Sequence, residues 1–334
     1  MQSTLLASGL GFPEGPTILD DGRVVLCDGN TGELLVYDNG AVSAYARTGG
    51  SPWGTVPGSD GAIYVTQGGN VPGSGDVSAV SGIQRVNPDG TVELLCSQVA
   101  GHQLYGPNDL AFGPDGRLYF TESGSEQDFR FDVRSPGRLF AVDGSGDGEM
   151  LLELPGVYPN GIAFDRDQRL YWTESMAHRV RRLEDGKPVT FCQLSDDHVP
   201  DGMAFAADGR LFVATTVSQG VTVISPDGQV LAEINLGEHA TNCAFDGPAL
   251  YVTATGTADI EASERTGTFW RVDTDADGGL ELKGQAFGGY VTTKSGRKLA
   301  YQLVVNGVPV SGIADVIKVF QDEGTISAIL WRDN

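Results

Sequence analysis

Six stretches of the chain share one pattern, and five of them carry an oxygen-bearing polar side chain at the same point in it. Aligned on the downstream Asp-Gly turn or its equivalent, that point holds Glu14, Trp53, Asn108, Asn160, Asp201 and Asn242, the last in a shortened repeat. Repeats that stack or circle bring equivalent positions together in space. Glu14, Asn108, Asn160, Asp201 and Asn242 are therefore expected to converge on one spot. Carboxylates and amide oxygens form a hard, oxygen-only donor set. Such a set suits one divalent cation, with Ca²⁺, Mg²⁺ or Mn²⁺ favoured, and leaves positions for water and substrate. Zn²⁺ is the further alternative, although no His stands at the aligned positions.

The elements that must position these residues recur in a fixed order. A short apolar strand follows the polar residue (Leu110-Ala-Phe, Ile162-Ala-Phe, Met203-Ala-Phe), then a turn such as Pro114-Asp-Gly. A second strand rich in aromatic and β-branched residues comes next, as in Leu118-Tyr-Phe-Thr or Leu170-Tyr-Trp-Thr. Third and fourth strands close the unit, as in Gly220-Val-Thr-Val-Ile and the stretch after Pro226-Asp-Gly. Four short strands recurring roughly every 40–55 residues are the signature of propeller blades. The predicted fold is all-β: a six-bladed β-propeller over residues 1–285, with a C-terminal β-hairpin plus helix over 286–334. The first strand of each blade lines the central channel, so the aligned residues should ring one of its mouths. Ring closure has two candidates, residues 3–8 and residues 279–287.

Four pieces of the chain, Gly11-Phe-Pro-Glu-Gly-Pro, Gly106-Pro-Asn-Asp, Tyr158-Pro-Asn-Gly-Ile-Ala-Phe and Pro200-Asp-Gly-Met-Ala, stand in this order at blade spacing. Together they resemble the senescence-marker-protein-30, gluconolactonase and luciferin-regenerating-enzyme family over about residues 8–280. The resemblance implies a six-bladed propeller with one divalent cation, Ca²⁺ foremost, near the channel mouth. It implies Glu14, Asn160 and Asp201 as metal ligands, Asn108 touching both cation region and substrate, and Asp109 as a neighbour. It also implies hydrolysis of sugar lactones, while some relatives hydrolyse organophosphates. The chain departs from the family at Gly106, where animal members carry an Arg that contacts sugar, and at Thr121-Glu-Ser, where many bacterial members have Thr-Asp. Both departures bear on the substrate.

The expected chemistry is lactone opening. The cation polarises the carbonyl and stabilises the oxyanion. Asn108 orients the carbonyl or a ring hydroxyl. Water is activated by Asp201, by the cation itself or by Asp109, and these three stay open at this level. The same site could serve other ester or organophosphate hydrolysis, and a non-catalytic ligand-binding propeller is the alternative from a different class.

Other features are less specific. His102, His178, His198 and His239 are scattered and read as solvated loop residues, with His198 and His239 near aligned positions. Trp53, Tyr105 and Tyr158 read as apolar walls or as core. The segments from Gly68 to Gly82 and from Gly124 to Pro136 are lid candidates, and Arg130 or Arg134 could replace the missing Arg. Asp273-Thr-Asp-Ala-Asp-Gly-Gly begins like a calcium loop but lacks Glu at the twelfth position and reads as a turn. The tail resembles the C-terminal hairpin and helix of penicillin-binding D-alanyl-D-alanine carboxypeptidases. No Ser-x-x-Lys nucleophile motif accompanies it, so no peptidase chemistry is assigned. A homodimer through this tail is one expectation.

A formal charge of -22 and a hydrophobic content of 40% describe a well-cored, strongly anionic chain. Such a surface repels nucleic acid and anionic membranes. No apolar run reaches the ~20 residues of a membrane span. Cys27, Cys96, Cys192 and Cys243 form no CxxC pair and are expected as free thiols, and no signal peptide is evident, so the expected location is the cytoplasm.

Overall fold

The computed structural model describes residues 1–69, 79–124, 136–256 and 266–278, together with the backbone of two strands at 286–292 and 298–304. Six four-stranded antiparallel sheets form the blades of a β-propeller. Five pair four strands in chain order, between residues 13–47, 52–96, 107–154, 159–193 and 200–235. The sixth combines His239–Asp246, Ala249–Thr255 and Gly267–Asp273 with the N-terminal strand Gln2–Leu10. The ring therefore closes through residues 3–8, one of the two predicted candidates. Of the other, residues 279–285 lie outside the described residues, and Ala286 and Phe287 begin a strand, Ala286–Thr292, that pairs with Lys298–Val304, with Ala286 opposite Val304. That pairing confirms the predicted tail hairpin. Its turn, and the predicted helix within 313–331, lie outside the described residues, as do residues 70–78 and 125–135 of the two lid candidates.

The first strands, Pro13–Ile18, Pro52–Pro57, Pro107–Phe112, Pro159–Phe164, Pro200–Phe205 and His239–Asp246, pack each against the next in a closed circle. Pro opens five of them, at a strand end where no ladder N–H is needed. Apolar side chains from neighbouring blades fill the wedge between sheets. Phe212, Val221 and Val223 of the fifth blade pack on Leu250, Val252 and Val272 of the sixth. Tyr171, Val180 and Cys192 of the fourth pack on Leu211, Val213 and Ile224 of the fifth. All four cysteines are free thiols, three of them buried.

The residue ending the second strand of a blade ties down the loop that enters its first strand. Asp28 accepts from the backbone N–H groups of Gly11 (3.1 Å) and Phe12 (3.0 Å). Gln67 accepts from Ser51 N (2.7 Å), and Glu122 from Tyr105 N (2.6 Å). These bonds satisfy buried donors that would otherwise be orphaned. They also fix the approach of the chain to the position that carries the candidate site.

Candidate functional site

Each first strand starts at the same end of the channel, so its second residue stands on a common level. Pairing with the second strand defines that level: Pro107 opposes Glu122, Pro159 opposes Glu174 and Pro200 opposes Thr215. Pro13 opposes Asp28 and Pro52 opposes Gln67 in the same way. The level holds Glu14, Trp53, Asn108, Asn160 and Asp201, as the repeat predicts.

The sixth member differs from the prediction. Cys243 opposes Val252 as Leu110 opposes Phe120, and Asn242 N donates to Thr253 Oγ1 (3.1 Å) as Asp109 N donates to Thr121 Oγ1 (3.1 Å). Asn242 is thus the counterpart of Asp109, one level deeper, and Thr241 takes the place in the ring. The cause is a shorter turn: four residues separate Phe245 from Leu250, where five separate Phe112 from Leu118. Aligning on the turn therefore moves the residue by one.

The deeper level consists of Gly15, Gly54, Asp109, Gly161, Gly202 and Asn242. Four of these are glycines, so only Asp109 and Asn242 project side chains there. Both line a cavity of about 130 Å³ that continues down the channel past Ala111, Ala163, Ala204 and Ala244. A Cβ on Gly202 would fall inside the Asn242 carboxamide, and one on Gly54 would lie 2.7 Å from Asp109 Oδ1.

Glu14, Asp201 and Asp109 feel one another's charge where ring and deeper level join. Glu14 is buried, and its carboxyl is held well above the usual range by loss of solvent and then by the charge of Asp201. Burial and then the charge of Asp109 raise Asp201, against hydrogen bonds from Thr216 and Asn160 that favour its charged form. Thr216 Oγ1 donates to Asp201 Oδ2 at 3.3 Å. Burial pushes Asp109 up to about 6, although Leu110 N (2.9 Å) and Ile162 N (3.3 Å) donate to its two oxygens. Among the described residues no Lys or Arg forms a salt bridge with any of the three. Asn160 is buried beside Asp201, and its Nδ2 donates to Ser175 Oγ (3.3 Å), which leaves Oδ1 free for other partners. Asn108 is partly exposed at the mouth.

Neighbouring blades lock the ring backbone. Thr66 Oγ1 donates to Asn108 O, Thr121 Oγ1 to Asn160 O (2.5 Å) and Thr173 Oγ1 to Asp201 O (2.9 Å). Each Thr reaches from one blade to the ring residue of the next. These threonines were not singled out from sequence, although their recurrence in Ile63-Tyr-Val-Thr, Leu118-Tyr-Phe-Thr and Leu170-Tyr-Trp-Thr was a visible signal.

The remaining candidates separate. Trp53 is buried edge-on to Phe12, with ring centroids 5.8 Å apart. Tyr105 is exposed and Tyr158 partly so. His198 is buried rather than solvated: its Nε2 lies 3.1 Å from Glu233 Oε1 and its Nδ1 2.8 Å from Ser195 Oγ. It braces the loop that leads into Pro200. His239 Nδ1 lies 2.6 Å from Thr216 O. After Asp273, Asp275 and Ala276 form a bend, as expected of a turn.

Comparison with known proteins agrees with this architecture. The chain is 26% identical over 289 residues to a gluconolactonase of Zymomonas mobilis, covering 75% of this chain and 78% of that one. It is 31% identical over 193 residues to a 6-deoxy-6-sulfogluconolactonase of Pseudomonas putida, covering 53% and 64%. A solved structure described as a calcium-binding protein, regucalcin, from Agrobacterium tumefaciens superposes with a TM-score of 0.69 at 20% identity, covering 85% and 97%. Residues 12–256 match the SMP-30/Gluconolactonase/LRE-like region, and the chain belongs to that family.

Proposed function

We propose that this protein is a divalent-metal-dependent lactonase whose reaction centre lies where the ring meets the channel. The observation that carries the reading is that Glu14, Asp201 and Asp109 act on one another's charge while, among the described residues, no Lys or Arg pairs with them. Burying one uncompensated carboxylate is costly, and burying both Glu14 and Asp109 beside the partly exposed Asp201 is more so. A divalent cation offsets that cost, and the oxygen-only donor set of Glu14, Asn160 and Asp201 fits Ca²⁺ foremost, with Mg²⁺, Mn²⁺ or Zn²⁺ as alternatives. Among the described residues no three His, Cys, Asp or Glu side chains form a ready-made metal cluster. The donor set is instead two carboxylates and an amide oxygen, completed by water or substrate. The names of the bacterial relatives support lactone hydrolysis.

When bound, the cation supplies Lewis-acid polarisation of the lactone carbonyl. Glu14, Asn160 and Asp201 hold it. Asn108, partly exposed at the mouth, orients the carbonyl or a ring hydroxyl. Asp109 is the better placed of the two candidate bases, because it lies outside the ligand set and two backbone N–H groups hold its carboxylate in one orientation. It takes the proton of the attacking water. The lactone C–O bond then breaks, and the ring oxygen leaves as an alcohol carrying that proton.

The test is hydrolysis of a lactone panel by pH-stat, on chelated protein and after adding back each cation. Turnover should appear only with metal. Glu14→Gln and Asp201→Asn should each lower kcat/KM by about a hundredfold or more. Unchanged turnover in either variant refutes the site.

A further inference from the structure

We propose that Asn242 is a positioning residue, whose carboxamide holds Glu14 and Asp109 in their working orientations from the sixth blade. The inference rests on the lactonase reading for its kinetic test, but not for its geometry. Asn242 is buried, and its Oδ1 accepts from Cys243 N at 2.8 Å. That bond fixes which way the amide points and leaves its NH₂ group for other partners. Thr241 Oγ1 donates to Pro13 O at 2.8 Å, which sets Asn242 beside Glu14, and Asn242 lines one cavity with Asp109, so the NH₂ group is within reach of both carboxyls and favours their charged forms. Glu14 is pinned from its other side by Gly15 N, which donates to Oε2 at 3.1 Å. One amide thus joins carboxylates from the first and third blades, across the channel, from the sixth.

Two further features make this more than space-filling. Asn242 occupies the level where four of six blades carry glycine, so a side chain there is not a packing requirement of the fold. Gly202 of the fifth blade leaves the volume that the carboxamide fills, and any side chain at 202 would displace it. A carboxylate at 242 would keep the shape and the bond from Cys243 but would lose the donor that holds the other two. An alanine would remove both.

Asn242→Asp and Asn242→Ala would be compared with wild type by terbium luminescence for ion affinity, by kcat and KM on the best lactone, and by thermal unfolding. Both variants should bind the ion about tenfold more weakly and lose about tenfold or more in kcat, with KM within about threefold. Because Asn242→Asp is isosteric, it carries the test should the alanine variant fail to fold. Tighter ion binding by Asn242→Asp with an unaltered Asn242→Ala would show a simple charge effect and overturn the proposal. A lower unfolding temperature with wild-type kcat and ion affinity would show mere packing and overturn it too. If wild type hydrolyses no lactone, the reaction reading fails alone, and ion affinity still decides for or against Asn242. A wild type that binds no ion overturns both.

Discussion

Replacing Asp109 by Asn should stabilise the metal-free protein at high pH and destabilise it at low pH. Burial raises the Asp109 carboxyl from 3.8 to about 6. A raised folded-state value favours the protonated form, so its contribution to stability is complete below about pH 4 and is lost as pH rises through about 6. At about 1.4 kcal/mol per factor of ten, the fully charged group costs about 3 kcal/mol at pH 8. The amide carries no such cost. It does, however, turn an NH₂ toward either Leu110 N or Ile162 N, which both donate to Asp109 now, and loses ~1–2 kcal/mol at every pH. The variant should therefore be more stable than wild type by ~1–2 kcal/mol at pH 8 in chelator, and less stable by a similar amount at pH 4. At ~2 °C per kcal/mol, the difference in Tm swings by roughly 6 °C and changes sign. Thermal unfolding of both proteins across pH 4–8 measures it. The paired difference cancels the titration of groups that do not feel Asp109, while loss of its charge also eases Glu14 and Asp201, which adds to the advantage of the variant at pH 8. In saturating Ca²⁺ the advantage of the variant at pH 8 should shrink, because the cation offsets the wild-type charge. A Tm difference that is constant across this range would refute the burial and isolation of Asp109.

Two further substitutions probe how the site is held. Thr121→Val removes the hydroxyl that donates to Asn160 O and accepts from Asp109 N, inside a fully buried position. It should cost about 2–3 kcal/mol in urea unfolding and weaken ion binding, because the backbones of two site residues lose a partner at once. Gly202→Ala should cost about 3 kcal/mol or more, since its Cβ would occupy the space of the Asn242 carboxamide. Pairing it with Asn242→Ala should recover part of that loss, and strict additivity in the double mutant would contradict the contact.

The fold was legible because the repeat carries its own punctuation. Asp-Gly turns mark the far end of five first strands and Asp167-Gln168 that of the fourth, and the alternation in Leu118-Tyr-Phe-Thr and its kin marks the second. Glu14, Asn108, Asn160 and Asp201 were found for the same reason: each follows a Pro that opens a first strand, so sequence spacing translates directly into level. Asn242 is expected on the ring but stands one level deeper, because the sixth blade has no such Pro and a shorter turn, and only strand pairing reveals the one-residue offset. Asp109 was seen as a neighbour, but its depth below the ring depends on the bulge between Pro107 and Leu110, which spacing does not announce. His198 reads as a solvated loop residue in the sequence but is buried, and its partner Glu233 comes from the outer strand of the next blade, which local sequence does not announce.

The ring is also built so that its charges cannot relax by moving apart. Thr66, Thr121 and Thr173 each bind the carbonyl of the ring residue in the following blade. Where the second strand has Cys27 or Ala214 instead, another residue nearby supplies the hydroxyl, Thr55 of the next blade or Thr216 of the same one. Thr55 Oγ1 donates to Gly15 O at 2.5 Å, and Thr216 Oγ1 lies 3.3 Å from both Ala240 O and Asp201 Oδ2. At the closure, Thr241 Oγ1 donates to Pro13 O at 2.8 Å, so the residue that took Asn242's expected place joins the last blade to the first. Every junction thus carries a hydroxyl bond at or next to the level of the carboxylates. Held this way, Glu14, Asp109 and Asp201 can lower their mutual repulsion by taking up protons or by sharing a cation, but not by spreading the backbone. Loosening one junction, as in Thr121→Val, should then lower ion affinity even though no ligand side chain has changed.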